Sequence, residues 1–314
     1  MPLVSVIIPV YGTERFIARC LDSLFAQSFK DFEIIIVNDC TKDKSMTIVR
    51  EYAKRHNNIK VVEHASNQGP MVARESGYRG ATGKYLVFPD SDDTLPENAL
   101  DRLYYEITKS DVKIVRGGYR YIFDNGSSED RKPSCLGTYN TKEGIELCLK
   151  GKMNHNLAFT IFDRKLFEKE FQTFPNQNHG EDMMLFYQLL REAGSIKVIP
   201  DIVYDYYQNF ASSSNTAPNR NILRQLAKAQ NFKYEFCSGL HVDKAVLYRN
   251  ILRIVATWLT VEGGKEVYKE LHKDIRTQIN PVSFFRYLPA TKAIYYTLLK
   301  YLPSLTVRLL NHKR

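Results

Sequence analysis

Residues 84–93 read KYLVFPDSDD, a short apolar run followed at once by three carboxylates in four positions. The apolar run is typical of a buried strand, and the segment 96–110 after it has the spacing of a helix. A buried strand that leads through polar residues into a helix is the repeating unit of a parallel α/β sheet. Such sheets bind ligands beyond the carboxyl ends of their strands. This stretch therefore predicts an α/β fold with a parallel sheet, and a ligand site beyond the carboxyl end of this strand.

The first 115 residues repeat this alternation. Apolar runs predict strands at residues 3–10, 32–39, 59–63, 84–90 and 112–116. Helical spacing predicts helices at residues 16–25, 44–55, 71–81 and 96–110. Continuous apolar strands between helices indicate an α/β fold with a largely parallel sheet covered on both faces.

The rest of the chain is mixed and then helical. We predict strands at 119–123, 196–199 and 203–207, a turn-rich segment at 124–138, and a helix at 181–193. From about residue 219 onward the pattern is helical with no strong strand.

Composition narrows the class of protein. A chain of 314 residues with 44% hydrophobic content is a folded protein, since disordered chains lack that apolar content. Five cysteines without a CxxC pair argue against a zinc ribbon and fit a reducing cytoplasm. The first residues lack the features of a signal peptide, and no apolar run reaches the roughly 18 residues of a spanning helix. The expected localisation is cytoplasmic.

The acidic cluster after the fourth strand has two interpretations. Asp90, Asp92 and Asp93 repel one another unless a cation or hydrogen bonds compensate. Mg²⁺ or Mn²⁺ suits this need, because hard cations take carboxylate and phosphate oxygens as ligands. The alternative is a cap of the following helix by Asp93 or Thr94.

Two further polar segments precede that strand. Asp39 ends the second strand, where it could bind a ligand base or ribose, or form an Asx-turn over residues 38–43. Asn67 and Gly69 lie in the loop before the third helix, and Gly69 allows close approach of a backbone. Arg74, one turn into that helix, could pair with phosphate or with the aspartate cluster, or could be solvated.

Glu181 and Asp182 begin the predicted helix at 181–193. One interpretation is a general base that takes a proton from an attacking hydroxyl. The other is stabilisation of the first helical turn by acidic side chains.

Four motifs occur in one order: SVIIPVYG (5–12), EIIIVNDCTKDKS (33–45), NQGPMVARESGYRGATGKYLVFPDSDD (67–93) and GED (180–182). Together they resemble the inverting family 2 glycosyltransferases of the GT-A fold, of the bacterial surface-polysaccharide type. The resemblance implies a Rossmann-like sheet flanked by helices. It also implies transfer of a sugar from a nucleotide diphosphate, most often UDP, to a glycan or lipid-linked acceptor.

The resemblance also implies roles for single residues. Pro9, Val10 and Tyr11 would border the nucleotide, and Asp39 would contact its base. Asp90, with Ser91, would lie near the ribose and diphosphate.

For the chemistry, Asp92 would contact Mn²⁺ or Mg²⁺, and Asp93 would support it or cap the helix. Asp182 matches the family's catalytic base, which Glu181 would orient. Asn38, Cys40 and Glu75 depart from the family pattern and blur the nucleotide preference. The segment 204–214 resembles a lid over the donor.

The expected domains follow from these patterns. Residues 1–218 form the GT-A catalytic domain, with a nucleotide-sugar half at 1–115 and an acceptor half at 116–218. Residues 219–314 form a helical region that ends in a basic amphipathic tail, 275–314. That tail contains seven Lys or Arg and no acidic residue, whereas residues 1–274 carry 37 Lys or Arg against 35 acids.

The tail suggests a partner. Its aromatic and basic residues suit a helix in the interface of an anionic membrane, on the inner face of the cell membrane. The alternative is a helical cap packed on the catalytic domain. No nucleic-acid-binding motif is present.

Two other functions remain open from sequence. A sugar nucleotidyltransferase would need a Gly-rich N-terminal loop with a basic residue, which residues 10–13 do not offer. A non-catalytic sugar-binding module would carry a damaged site, yet Asp90, Asp92 and Asp182 are all present.

Overall fold

The computed structural model describes residues 1–208, 219–258, 261 and 263–301. The chain divides into two compact units. The first comprises Met1–Gly144 and Lys152–Thr216, and the second comprises Ile145–Gly151 and Ala217–Arg314.

The first unit is built on a sheet of nine strands. These are β1 (Val4–Val10), β2 (Phe32–Asn38), β3 (Ile59–Glu63), β4 (Tyr85–Val87), β5 (Ile114–Ile122), β6 (Ser128–Arg131), β7 (Gly137–Asn140), β8 (Thr160–Asp163) and β9 (Ser195–Tyr207). The strand order is β3-β2-β1-β4-β8-β5-β9-β7, with β6 paired to β5.

Helices connect and cover these strands. They are α1 (Ile17–Phe25), α2 (Ser45–Arg55), α3 (Pro70–Gly80), α4 (Ala99–Thr108), α5 (Thr141–Leu149) and α6 (Glu181–Ala193), with a 3-10 helix at Arg164–Glu168. The predicted α/β class with a Rossmann-like sheet is confirmed. Every residue of β2 is buried, as continuous apolar strands require.

The sheet is parallel over β3, β2, β1 and β4, and mixed beyond them. β8 lies between β4 and β5 and runs antiparallel to both. Because β8 is antiparallel to both β4 and β5, β5 runs in the same direction as β4. β9 is parallel to β5 and therefore also runs in that direction. The carboxyl ends of β1, β2, β4 and β9 therefore meet at one edge. The strand order also reverses direction at β1, because β4 joins the sheet beside β1 rather than beside β3. Such switch points in the strand order form ligand crevices.

Several predicted elements differ from those observed. The strands predicted at 112–116 and 119–123 are one strand, β5, because Gly117 and Gly118 carry the chain through two register shifts. A Cβ on Gly117 would lie 2.6 Å from the carbonyl oxygen of Asp201, so only glycine permits this approach of β9. The strands predicted at 196–199 and 203–207 are likewise one strand, β9.

Other elements were not predicted. The turn-rich segment 124–138 contains β6 and the first residues of β7, while β8 and α5 had no assignment. β8 has only four residues, which is too short a run for hydrophobic periodicity to reveal.

The second unit is helical in its described residues. Its helices are α7 (Arg220–Gly239), α8 (Lys244–Trp258), α9 (Gly264–Val267), α10 (Lys273–Thr277), α11 (Pro281–Tyr287) and α12 (Ala290–Tyr301), with a 3-10 helix at Tyr268–Glu270. Within the described part of the chain, no helix is both long and apolar enough to cross a bilayer. Residues 302–314 of the predicted tail and 209–214 of the predicted lid lie outside the described residues.

Candidate functional site at the carboxyl edge of the sheet

The sheet edge gathers the predicted site residues because neighbouring parallel strands end together. Tyr11 follows β1 and is 56% exposed, whereas Val10 is buried within the strand. Asp39 follows β2, and the cluster Asp90–Asp93 follows β4. The strand ends thus bring one exposed ring and several carboxyl groups to the same edge of the sheet.

Arg74 connects two motifs that are separate in sequence. Its side chain is 4% exposed and reaches from α3 toward β4 and α6. Its guanidinium lies 3.1 Å from Asp90 Oδ1, 2.9 Å from Asp182 Oδ1 and 3.7 Å from Glu181 Oε1. The Asp182 contact is an ion pair without hydrogen-bond geometry, since neither atom has a hydrogen-bond partner. Of the roles considered for Arg74, the structure shows pairing with the aspartate cluster.

The site holds more carboxyl groups than Arg74 can pair. Burial raises the pKa of Asp90 to about 7, against the attraction of Arg74 and with repulsion from Asp182 and Asp92. Burial and the neighbouring Asp182 raise the pKa of Glu181 to about 8. Burial alone would lower the pKa of Arg74, but Asp182, Asp90 and Glu181 together raise it. This excess of buried carboxylates is the electrostatic setting in which a bound cation is stabilising.

Asp93 is held by β9. The hydroxyl of Tyr204 donates to Asp93 Oδ2 at 2.8 Å, and the backbone N–H of Tyr207 donates to Asp93 Oδ1 at 2.8 Å. Tyr204 also accepts a hydrogen bond from the backbone N–H of Asp90 at 3.1 Å. Burial raises the pKa of Asp93 well above its ordinary value, with Asp92 and Asp90 adding repulsion.

These bonds bear on the two roles considered for Asp93. The expectation that it caps the next helix is wrong, because α4 begins at Ala99 with Asn98 as its N-cap residue. Both of its carboxylate oxygens already accept hydrogen bonds within the protein, so its observed role is to join β9 to the acidic turn.

The backbone of Asp92 is held by Arg19. Arg19 donates to the carbonyl oxygen of Asp92 at 2.6 Å, and its guanidinium stacks 3.3 Å from the ring centre of Tyr207. Burial raises the pKa of the Asp92 carboxyl. Ser91, between the aspartates, is buried.

The carboxylates do not form a complete metal site on their own. Among the described residues, no group of three or more His, Cys, Asp or Glu side chains is placed to hold a metal ion. Asp90 and Asp92 nevertheless fit a Mg²⁺ or Mn²⁺ ion that takes one or two protein carboxylates and completes its ligands with substrate phosphates and water.

Asp39 organises the start of α3. Its carboxylate accepts hydrogen bonds from the backbone N–H of Gln68 and of Gly69, both at 2.9 Å, and lies 2.7 Å from His64 Nδ1. His64 Nε2 lies 2.8 Å from the hydroxyl of Ser76. Asp39 thus fixes the loop that leads into α3, the helix that carries Arg74. Asn67, in the same loop, is exposed.

The loop after β2 and the loop before α3 hold two further features. The Asx-type bond over 38–43 is made by Asn38, whose side chain accepts from the backbone N–H of Thr41 at 2.9 Å. Gly69 has φ +88°, and a Cβ there would lie 2.9 Å from Asn178 Oδ1, so glycine is required. His64 and Ser76 were not predicted; the position of His64 directly after β3, at the same sheet edge, was the available signal.

A cavity of about 500 Å³ lies elsewhere in the first unit. It is lined by residues at the C-terminal half of α3 and by the 3-10 helix after β8, including Tyr78, Arg79 and Phe167. None of the predicted site residues lines it.

At this edge of the sheet, the acidic strand ends face α6, a helix that begins with Glu-Asp. The sequence profile of Glycosyl transferase family 2 matches residues 5–171, more than half of the chain. The chain therefore belongs to glycosyl transferase family 2 and is a glycosyltransferase.

Two relatives show the range of similar proteins. The chain is 34% identical over 219 residues to the uncharacterized glycosyltransferase EpsJ of Bacillus subtilis (strain 168), covering 67% of this chain and 62% of EpsJ. It is 32% identical over 213 residues to poly(ribitol-phosphate) beta-glucosyltransferase of Bacillus spizizenii, covering 65% of this chain and 32% of that protein. This chain thus spans less than two thirds of the length of either relative.

A solved structure supports the fold. The crystal structure of residues 1–349 of S. aureus TarS in complex with UDP-GlcNAc superposes with a TM-score of 0.63. The identity is 18%, and the match covers 96% of this chain and 87% of that chain. At this identity the likeness concerns the fold alone.

Proposed function

We propose that this glycosyltransferase moves a sugar from a UDP-sugar to a hydroxyl of a glycan or lipid-linked acceptor during cell-surface polysaccharide biosynthesis. The observation that carries the proposal is Arg74, which joins Asp90 at the donor side to Asp182 on α6. The likeness to TarS, crystallised with UDP-GlcNAc, supports a UDP-linked donor. The likeness to a poly(ribitol-phosphate) beta-glucosyltransferase supports a polymeric acceptor.

The proposed reaction is a direct displacement with inversion. Asp182 takes the proton of an acceptor hydroxyl, whose oxygen then forms a bond to the anomeric carbon. The bond from that carbon to the diphosphate breaks on the opposite face, and the nucleoside diphosphate leaves. Glu181 lies on the same helical turn as Asp182 and orients it, while Arg74 holds Asp182 in place.

The donor would lie along the strand ends. Tyr11 presents its exposed ring to the base, beside Pro9 and Val10, and Asn67, Gly69 and Ser91 border the ribose and diphosphate. Mn²⁺ or Mg²⁺, held by Asp92 and Asp90, would supply neutralisation of the diphosphate leaving group. Since Asp39 already accepts three contacts from its own chain, we propose that it shapes the base pocket chiefly through the loop before α3.

A screen of nucleotide sugars tests the donor and the cation. Purified protein with Mg²⁺ or Mn²⁺ should hydrolyse or transfer from at least one UDP-sugar, measured by release of UDP. Asp92→Asn should abolish metal-dependent turnover. Asp111→Asn, which changes an exposed aspartate of the same unit, should leave metal-dependent turnover unchanged. Metal-dependent turnover retained in the Asp92 variant would exclude that residue as a ligand.

A second variant tests the base. Asp182→Asn should keep donor binding, measured by calorimetry, and should lose transfer by two to four orders of magnitude. Transfer close to the wild-type rate in this variant, with Glu181→Gln inactive, would assign the base to Glu181 instead.

A further inference from the structure

The second unit exposes large apolar side chains close to one another in sequence. Val282 is 78% exposed and Phe285 is 54% exposed, both on α11, while Ile294 on α12 is 49% exposed. Val282 and Phe285 are three residues apart and therefore share a face of their helix. Apolar side chains exposed together commonly mark an interaction surface.

The two helices have a buried side as well as this exposed one. Phe284, Tyr287 and Leu288 are buried, and the ring of Phe284 lies 6.2 Å from that of Tyr296 on α12. The helix α11 is fixed at its start, because Asn280 accepts from the backbone N–H of Ser283 at 2.9 Å. Of the aromatic side chains in the predicted tail, Phe284, Tyr287 and Tyr296 are therefore core residues, whereas Phe285 faces outward.

Positive charge accompanies the outward apolar set. Arg286 on α11 and Lys292 on α12 are both exposed. Neither has an ion-pair partner within the described residues. Residues 275–314 contain no Asp or Glu to neutralise them.

We propose that the exposed side of α11, with Val282, Phe285 and Arg286, forms a docking surface together with Lys292 and Ile294, which flank the buried face of α12 on its two sides. This surface, the α11–α12 face, inserts into the interface of an anionic lipid bilayer. The apolar side chains enter the boundary between headgroups and acyl chains, and the two cations lie against anionic headgroups. A second copy of this chain is disfavoured as the occupant, because it would oppose like charges. The biological use of the surface rests on the proposed lipid-linked acceptor, but lipid binding itself does not depend on catalysis.

Vesicle sedimentation tests the surface. The full chain should bind vesicles of phosphatidylcholine with 30% phosphatidylglycerol and should bind pure phosphatidylcholine far less. Val282→Ser with Phe285→Ser should weaken binding at least tenfold. Arg286→Gln with Lys292→Gln should weaken it about fivefold per charge removed, and the loss should shrink as salt is raised.

Matched variants serve as controls. Leu136→Ser removes an apolar side chain that is 53% exposed on the first unit, and Lys109→Gln with Lys132→Gln removes two charges there. Both controls should bind within twofold of wild type, and circular dichroism should show every variant folded. The proposal is overturned if wild-type protein ignores the anionic vesicles. It is equally overturned if the α11–α12 variants bind like the controls, or if they instead dissociate a dimer seen by sedimentation velocity.

Transfer to a soluble acceptor separates this proposal from the proposed function. The α11–α12 variants should retain the wild-type rate of UDP release. Loss of vesicle binding with intact turnover supports the docking surface, and vesicle binding by a protein inactive on every donor would overturn only the proposed function.

Discussion

At the scale of single residues, the buried carboxylates of this protein serve two different purposes. Asp90, Glu181 and Asp182 share one guanidinium, and the pKa values of Asp90 and Glu181 are raised. Glu33, within β2, is instead fully supplied with donors. Ser5 Oγ and the backbone N–H of Thr82 donate to its Oε1 at 2.7 Å, and Lys60 Nζ lies 2.7 Å from Oε2. A buried acid with this many donors stabilises the fold, whereas an acid that lacks them is available to a ligand.

Glu33 should make the protein sensitive to acid. Burial alone would raise its pKa, but hydrogen bonds from Lys60, Ser5 and Thr82 outweigh burial and lower it to about 2, from 4.5 in the unfolded chain. Its stabilising contribution is therefore complete above pH 4.5 and is lost as the pH falls toward 2. Glu33→Gln should lower the free energy of unfolding by about 2 kcal/mol at pH 7.

Urea unfolding at a series of pH values checks this prediction. The difference between wild type and Glu33→Gln should shrink steadily below pH 4.5. A difference that stays constant from pH 7 to pH 3 would show that the carboxylate does not titrate in this way.

At the scale of elements, β9 positions the acidic turn. Its last residues supply the Tyr204 hydroxyl and the Tyr207 backbone N–H to Asp93, and Asp205 pairs with Thr94 in a β-bridge. Because β9 runs in the same direction as β4, its carboxyl end arrives beside the residues that follow β4. The geometry of Asp90 and Asp92 thus depends on a strand more than a hundred residues away.

Tyr204→Phe should loosen this connection. The substitution keeps the ring but removes one donor from the buried Asp93, which costs about 1–3 kcal/mol. We expect lower thermal stability and a raised KM for the donor. Tyr104→Phe, on α4, is the control and should change neither quantity. An unchanged KM in Tyr204→Phe would mean that the acidic turn holds its geometry without β9.

At the scale of the whole molecule, each compact unit has its own buried polar network. In the second unit, Lys233 on α7 donates to Gln230 Oε1 at 3.0 Å and to Asn250 Oδ1 at 2.8 Å. Asn250 donates in turn to the carbonyl oxygen of Leu149 at 2.7 Å. This network ties the segment Ile145–Gly151, which is distant in sequence, to the helices of its unit.

Lys233 should make the second unit more stable at alkaline pH. Burial lowers its pKa to about 8, from 10.5 in the unfolded chain. Between these values the unfolded chain binds more protons, so the free energy of unfolding rises with pH. Lys233→Met should lack this rise, and its stability relative to wild type should fall between pH 8 and pH 10.

Hydrogen exchange resolved by segment measures this prediction in the relevant unit. Protection of α7 and α8 should increase with pH in wild type, after correction for the intrinsic exchange rate, and should not increase in Lys233→Met. An equal increase in both proteins would assign the effect to another group.

Elements with strong local signals were predictable to within a few residues. β1 and β2 were found because each is a continuous apolar run, and α6 because acidic residues open an apolar helical pattern. β8 was missed because four residues carry no periodicity, and it is a strand only through its pairing with β4 and β5. The same long-range pairing made β9 one strand rather than two.

The α/β class, the family and most of the residues at the strand ends could be predicted from the sequence, because each is encoded in a short contiguous pattern. Three relations could not be predicted in this way: Arg74 joins Asp90 to Asp182, Tyr204 holds Asp93, and Val282 and Phe285 face outward while Phe284 faces the core. These relations depend on which strands lie side by side and on the rotation of each helix. Both are set by packing between segments distant along the chain.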